Sequence, residues 1–313
     1  FLLWVGSNQP HTPWNKGPRE LYDADELTVP AYLVDTPETR AEMVKYYAEI
    51  SEVDREFGEF LRVLDESGHA ANTIVIFTSE QGSSLPFGGK WSCYENGLKT
   101  AWIVRWPGRI KPGTRTEAQT QYVDFAPTVI ELAGGDPAAA SAGRPDADGG
   151  VGFDGRSFLP VLLGHKEAHR EFVYGAHTTI GVGGATTGGY GIRSISDGRY
   201  KLIVNLQPEH PFSCATAQPA AQPRNSWRAA GEQGDAWAVQ RARDYQKRPA
   251  HEFYDLSQDP EELSNLADDA AHAGRIDELQ VVLAEWMRQQ VDLGVATEVA
   301  GQYRLQRYLR PKS

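Results

Sequence analysis

The sequence predicts an α/β fold followed by a smaller α+β part. Three observations carry that prediction: apolar strand-like runs alternate with amphipathic helical stretches, closely spaced short strands appear past about residue 164, and an amphipathic helix closes the chain. Residues 1–6, "FLLWVG", are a continuous apolar run bounded by Ser7 and Asn8, the pattern of a strand buried on both faces. A long helix follows: Thr36 is a fitting N-cap, Pro37 occupies the first helical position, and Met43, Tyr47, Ile50, Val53, Phe57, Phe60 and Leu64 form one apolar stripe. Gly68 ends it, and "NTIVIFTSE" (72–80) reads as a second buried strand, so residues 1–79 read as a strand, helix, strand unit. "TAWIVRW" (100–106) is a third strand that stops at Pro107-Gly108, and "YVDFAPTVIELAGG" (122–135) reads as a helix. The Pro, Gly and Ala-rich stretch 136–150 reads as a surface loop.

Past residue 164, "EFVYGAH" (171–177) and "IRSISDGRYKLIVNL" (192–206) read as antiparallel strands, the second run turning at Asp197-Gly198. Residues 207–248 hold prolines, glycines, Trp227 and Trp237 without clear periodicity and read as an irregular excursion. "GRIDELQVVLAEWMRQQVDLG" (274–294) reads as the closing helix. The chain opens without Met and inside an expected core strand, which raises the expectation of further sequence upstream.

Thirty-one basic against 42 acidic residues give a formal charge of -11, which repels phosphate backbones and anionic membranes and argues against a nucleic acid partner. A local cation can still reverse the potential inside one cleft. Cys93 and Cys214 are the two cysteines, too few for a disulfide framework or a cysteine-rich zinc module. No run of about 18 apolar residues is present to span a bilayer.

In open α/β sheets ligands sit at the carboxyl ends of strands. Two polar clusters fall there: Asn8, Gln9 and His11 after the first run, and Glu80 with Gln81 after the second. Carboxylate and carboxamide oxygens are hard ligands suited to calcium or magnesium rather than zinc. Taken alone, Glu80-Gln81 reads as a solvated strand end, Lys90 as a surface lysine and His11 as a turn residue between Pro10 and Pro13. His177 reads equally as a substrate contact or a loop hydrogen bond. Arg193 and Lys201 read as exposed strand charges or as the lining of a substrate mouth. Glu95 reads as a structural hydrogen-bond or ion-pair partner rather than a catalytic group. His165 and His169 stand four apart with no third ligand evident, and "GVGGATTGG" (181–189) lacks the third glycine of a dinucleotide fingerprint.

The strings "GSNQPHTPW", "IVIFTSEQG", "GKWSCYENGLKTAWIVRWPGRI", "YVDFAPTVIELAG", "GRYKLI" and "EFYDLSQDPEELSNLA" follow one another in an order that resembles the formylglycine-dependent sulfatases of the alkaline phosphatase superfamily. The resemblance covers most of the chain. It implies an alkaline-phosphatase-like α/β sandwich, incomplete at the N-terminus, over residues 1–164. A small α+β subdomain with an antiparallel sheet then covers residues 165–313.

It further implies one Ca2+ ion held in part by Glu80 and Gln81, with Mg2+ less suited; many relatives have Asp followed by Asn or His there. Lys90 would contact the sulfuryl group, and His11 would contact the sulfate or the leaving oxygen. Apart from the resemblance, Trp91 reads as loop packing or as a face for a sugar beside Lys90, with His177 and Arg193 as further candidate substrate contacts. The substrate would be a sulfated carbohydrate or an aryl sulfate, and the location periplasmic or extracellular. The resemblance departs at the nucleophile: neither "CYENG" nor "CATAQ" matches the C-x-P-S-R string from which formylglycine is made, and the aspartate pair that begins the metal site is absent. This leads to the expectation that the chain is the carboxyl-terminal part of such an enzyme, with formylglycine upstream. The rival readings are a phosphoester or phosphonate hydrolase of the same superfamily and a noncatalytic glycan-binding module.

Overall fold

The computed structural model describes residues 2–141, 152–178, 190–212 and 218–301. Phe1, most of the 136–150 loop, the 181–189 glycine run and Cys214 lie outside the described residues.

The first half is built on a 30-residue helix, α1 (Pro37–Glu66), capped by the Thr36 hydroxyl, which accepts the Thr39 amide. The segment before it is held to this helix by Glu49, 1% exposed, whose Oε1 accepts the amides of Lys16 at 2.6 Å and Gly17 at 3.1 Å. Next come β1 (Val75–Thr78), the short α2 (Glu95–Leu98), β2 (Trp102–Arg105), α3 (Phe125–Leu132), α4 (Pro137–Ala140) and α5 (Leu159–Leu162). β1 and β2 form an antiparallel pair in the register Val75↔Arg105 to Thr78↔Trp102.

The expected first strand does not form. Leu2, Leu3 and Trp4 are at least 70% exposed and Val5 is 50% exposed. A strand needs a neighbour for its amides and carbonyls, and no described strand runs beside residues 2–6, so the strand, helix, strand unit is not present among the described residues. For the same reason the α1 stripe is covered only in part: Met43 is 1% exposed and Phe57 meets Phe77 at 5.0 Å, whereas Phe60 is 47% exposed.

The second half carries a four-stranded antiparallel meander in the order β3 (Val173–His177), β4 (Ile192–Ser196), β5 (Tyr200–Asn205), β6 (His251–Asp255); β3 to β5 fall where antiparallel strands are expected, and β6 is an addition. The β4–β5 turn is fixed by Asp197 Oδ1, which accepts the amides of Arg199 and Tyr200 at 2.7 and 2.6 Å, with Gly198 at φ +94. α8 (Ala273–Gln289) buries Ile276, Leu279 and Leu283 against Ile195, Leu202 and Phe253.

Residues 207–248, expected to be irregular, hold α6 (Gln218–Glu232) and α7 (Ala236–Gln246). Tertiary packing stabilises helices whose own periodicity is weak: Trp227 and Ala238 are fully buried, and Trp227 Nε1 donates to Thr39 Oγ1 on α1 at 3.0 Å. One hydrophobic cluster therefore runs from Trp14, Met43 and Phe87 through Ile203 to Trp227 and Tyr245, across the expected division at residue 164.

Candidate functional site

The exit of β1 is held from the side. The Tyr122 hydroxyl bonds the Ser79 carbonyl and meets Thr78 Oγ1 at 3.0 Å and Thr100 Oγ1 at 2.6 Å. Glu80 follows, exposed, then Gln81, half-buried. The loop beyond doubles back on itself: the Lys90 amide donates to the Ser83 carbonyl at 3.1 Å, and Ser83 pairs with Gly89 as an isolated bridge. Lys90 is thereby returned towards the strand exit that bears Glu80 and Gln81.

Glycine makes this path possible. Gly89 sits at φ +99, and a Cβ there would lie 2.0 Å from the Gly97 amide nitrogen. On either side of Lys90, Phe87 and Trp91 adopt φ 55 and 63, a left-handed conformation uncommon for bulky residues and often found where function requires it.

Lys90 Nζ stands 4.8 Å from the Trp91 ring centroid. Both residues line a narrow cleft with Phe212, Tyr245 and Arg248 that encloses about 10 Å³, room for about one oxygen-sized atom. His11 stands exposed on its turn, Nδ1 2.7 Å from the Thr12 carbonyl oxygen.

The lysine loop is anchored to the meander. Lys201, 1% exposed, reaches Glu95 at 2.9 Å and Glu262 at 3.0 Å, and Glu262 accepts the Glu95 amide at 2.5 Å. Burial works against the Lys201 charge, but the two carboxylates hold its pKa above the ordinary value. Burial pushes the Glu262 carboxyl up to about 7. Beside this triad, the Tyr94 hydroxyl donates to Glu252 at 2.7 Å, and Cys93 is buried against β4, its thiol pushed up to about 11 by burial.

A second hub follows Tyr122 in the chain. Asp124, fully buried, accepts the amides of Gln121 and Arg156 at 2.9 Å each and the Arg170 guanidinium, with His169 Nε2 at 3.2 Å. Burial alone would raise this carboxyl, yet Arg170 and the amides hold it below its ordinary value. His169 is thus an Asp124 partner rather than half of a metal pair with His165.

Of the expected site residues, Lys90 and Trp91 share one cleft, the Lys90 backbone pairs with Ser83 two residues after Gln81, and two others lie apart. Arg193 is 1% exposed, its guanidinium shared between Asp292, Glu298 at 2.8 Å and the His177 carbonyl at 2.9 Å, so it holds the meander to the residues after α8 rather than lining an open mouth. Lys201 is equally buried, contrary to an exposed strand charge. His177 is 9% exposed at the end of β3; burial, with Arg248 nearby, lowers its pKa to about 4 and leaves the imidazole neutral. Sequence reasoning missed Tyr122, Asp124 and Arg248. The nearest signal for Arg248 is its place just before the "EFYDL" string, in a region without periodicity.

A family model described as Sulfatase matches residues 1–135, and one described as N-sulphoglucosamine sulphohydrolase, C-terminal, matches residues 87–213; together they span residues 1–213. The chain is 28% identical to the Ulvan-active sulfatase of Formosa agariphila, over 86% of this chain and 42% of that protein. It is 30% identical to the N-sulphoglucosamine sulphohydrolase of Homo sapiens, over 85% of this chain and 52% of that protein. The chain thus spans about half the length of the curated relatives it matches. It also superimposes on a solved structure from Bacteroides thetaiotaomicron, described with the metabolism of multiple glycosaminoglycans, with a TM-score of 0.60 over 95% of this chain and 56% of that one. At 19% identity this likeness shows the fold alone.

Proposed function

We propose that this chain, which belongs to the sulfatase family, supplies the anion-holding part of a sulfuric ester hydrolase acting on a sulfated carbohydrate. The observation that carries this reading is the doubled-back loop that returns Lys90 to the exit of β1, where Glu80 and Gln81 follow the strand. Cleavage of a sulfate ester develops charge on the leaving oxygen while the sulfuryl oxygens stay anionic, and fixed cations offset both. Lys90 binds the sulfuryl oxygens, His11 steadies or protonates the leaving oxygen from its exposed turn, and Trp91 offers a face to the sugar. His177, buried and neutral, and Arg193, ion-paired in the interior, are not substrate contacts in this reading. The covalent step is assigned to no residue of this chain.

The donor chemistry at Glu80 and Gln81 fits calcium, supplying two of the roughly six to eight oxygens it takes. Among the described residues no group of three or more His, Cys, Asp or Glu side chains is placed to hold a metal, so the other oxygens must come from other groups. When bound, the ion would offset sulfuryl charge. Calcium raising the melting temperature of the wild type but not of Glu80→Ala would support the pair as ligands. The family resemblance supports a periplasmic or extracellular location. Among the described residues no helix is long and apolar enough to cross a membrane.

The test compares aryl sulfate with aryl phosphate hydrolysis in the native protein and in Lys90→Ala. A preference for sulfate, with kcat/KM falling by about 100-fold or more in the variant, is the expected result. A phosphate preference would move the assignment to phosphoester chemistry, and unchanged kinetics would remove Lys90 from the site.

A further inference from the structure

Four cationic side chains of arginine and lysine are buried among the described residues: Arg193, Lys201, Arg241 and Arg248. Arg193 and Lys201 each meet two carboxylates, and Arg241 donates twice to the Tyr32 carbonyl, at 3.1 and 3.0 Å. Arg248 differs. It is 4% exposed, and its Nε finds no acceptor. The buried carboxylate four residues on, Glu252, has its oxygens engaged elsewhere: the hydroxyls of Tyr94 and Tyr254 donate to Oε2 and the Asn205 amide donates to Oε1, each at 2.7 Å.

The Arg248 guanidinium carbon lies 3.8 Å from the Phe212 ring centroid and 5.2 Å from that of Tyr94. Such contacts offset only part of the cost of a desolvated charge. Glu252 and Tyr94 act on this charge through space, and Arg248 lines the same cleft as Lys90 and Trp91. A second buried atom nearby is also unsatisfied: His177 Nε2 has no partner, and its ring centroid is 6.5 Å from that of Phe212.

We propose that the cleft between Lys90 and Arg248 is an oxyanion-binding site, in which Arg248 takes an oxygen of a sulfate or carboxylate group borne by the substrate and Lys90 supplies the second positive charge. A guanidinium suits this task because its donors are fixed in a plane that matches such oxygens. The enclosed space of about 10 Å³ admits one oxygen of the group rather than the whole group. Two cationic residues lining one cleft favour an anion there even on a chain of formal charge -11. The inference deepens the function proposed above by naming a second contact in its anion site, and its binding test does not depend on turnover.

The experiment titrates inorganic sulfate into wild type, Arg248→Lys, Arg248→Met and Lys90→Ala by calorimetry, with circular dichroism to confirm folding. The wild type is expected to bind. Arg248→Lys, which keeps the charge and loses the planar fork, should bind at least about tenfold more weakly, and the other two weaker still. Absence of sulfate binding by the wild type, or wild-type binding by Arg248→Lys, overturns the proposal whether or not Arg248→Met folds.

Kinetics then identify the source of the oxyanion. A kcat/KM loss in Arg248→Lys that is equal for an aryl monosulfate and for a sulfated sugar bearing an extra carboxylate assigns it to the reacting sulfate. A raised KM confined to the sugar assigns it to the second group. Sulfate binding that needs Arg248, in a protein without sulfatase turnover, would end the functional reading and leave this site standing.

Discussion

Lys201 and Glu262 meet at 3.0 Å with each side chain 1% exposed, and the same ammonium reaches Glu95 at 2.9 Å. One cation between two carboxylates therefore ties the loop that carries Lys90 to the central strand β5. The interaction is local in space and remote in sequence.

The triad has a pH signature. With its pKa raised from 4.5 to about 7, folded Glu262 holds its proton more tightly than the unfolded chain does. The associated stability is fully present below about pH 4.5 and is lost as pH rises through about 7, on the order of 3 kcal/mol across that window. Thermal melts of wild type and Glu262→Gln from pH 4.5 to 8 should show this decline in the wild type only; parallel profiles would refute the assignment.

His177 should act in the opposite sense. Its pKa is lowered from 6.5 to about 4, so the folded state resists protonation and stability is lost as pH falls from about 6.5 towards 4. A His177→Gln variant is expected to flatten the acid limb of the melting profile by on the order of 2–3 kcal/mol. An unchanged acid limb would show that other groups control it.

Asp124 accepts two amides and the Arg170 guanidinium, with His169 Nε2 3.2 Å away. Asp124→Asn would leave the Arg170 guanidinium without its charge partner in a largely buried setting, and a loss of about 3–5 kcal/mol by urea denaturation is expected. A cost below about 1 kcal/mol would mean that the hub relaxes around the amide.

Gly89 tests the loop path. A Cβ at Gly89 would sit 2.0 Å from the backbone of Gly97 at a φ of +99, so Gly89→Ala must displace one of the two segments. Lowered stability is expected together with weaker sulfate binding, because Lys90 is the next residue. Wild-type affinity in the folded variant would show that the Lys90 position tolerates a moved backbone.

Much of this was legible in the sequence because it rests on short-range rules. The Thr36-Pro37 start of α1, the Asp197-Gly198 turn, the strands 173–177 and 192–205, and α8 all follow from capping, turn chemistry and apolar spacing over a few residues. The glycine-rich loop between Gln81 and Lys90 was legible for the same reason: it lies within one contiguous stretch.

What the sequence left open depends on which distant segment lies against which. An apolar run such as residues 2–5 signals a buried strand but cannot supply the neighbour that would satisfy its backbone, and here it stands exposed. Trp227 and Ala238 make helices of a stretch with weak periodicity because α1 and its cluster cover them. Arg193, Lys201 and Arg248 are all cations within 56 residues of one another, and nothing in their immediate context distinguishes them. By itself the sequence determined the family and the local elements; the tertiary structure alone decided that carboxylates neutralise Arg193 and Lys201 while Arg248 keeps an unsatisfied donor in the Lys90 cleft, because a buried charge takes its meaning from the groups packed around it.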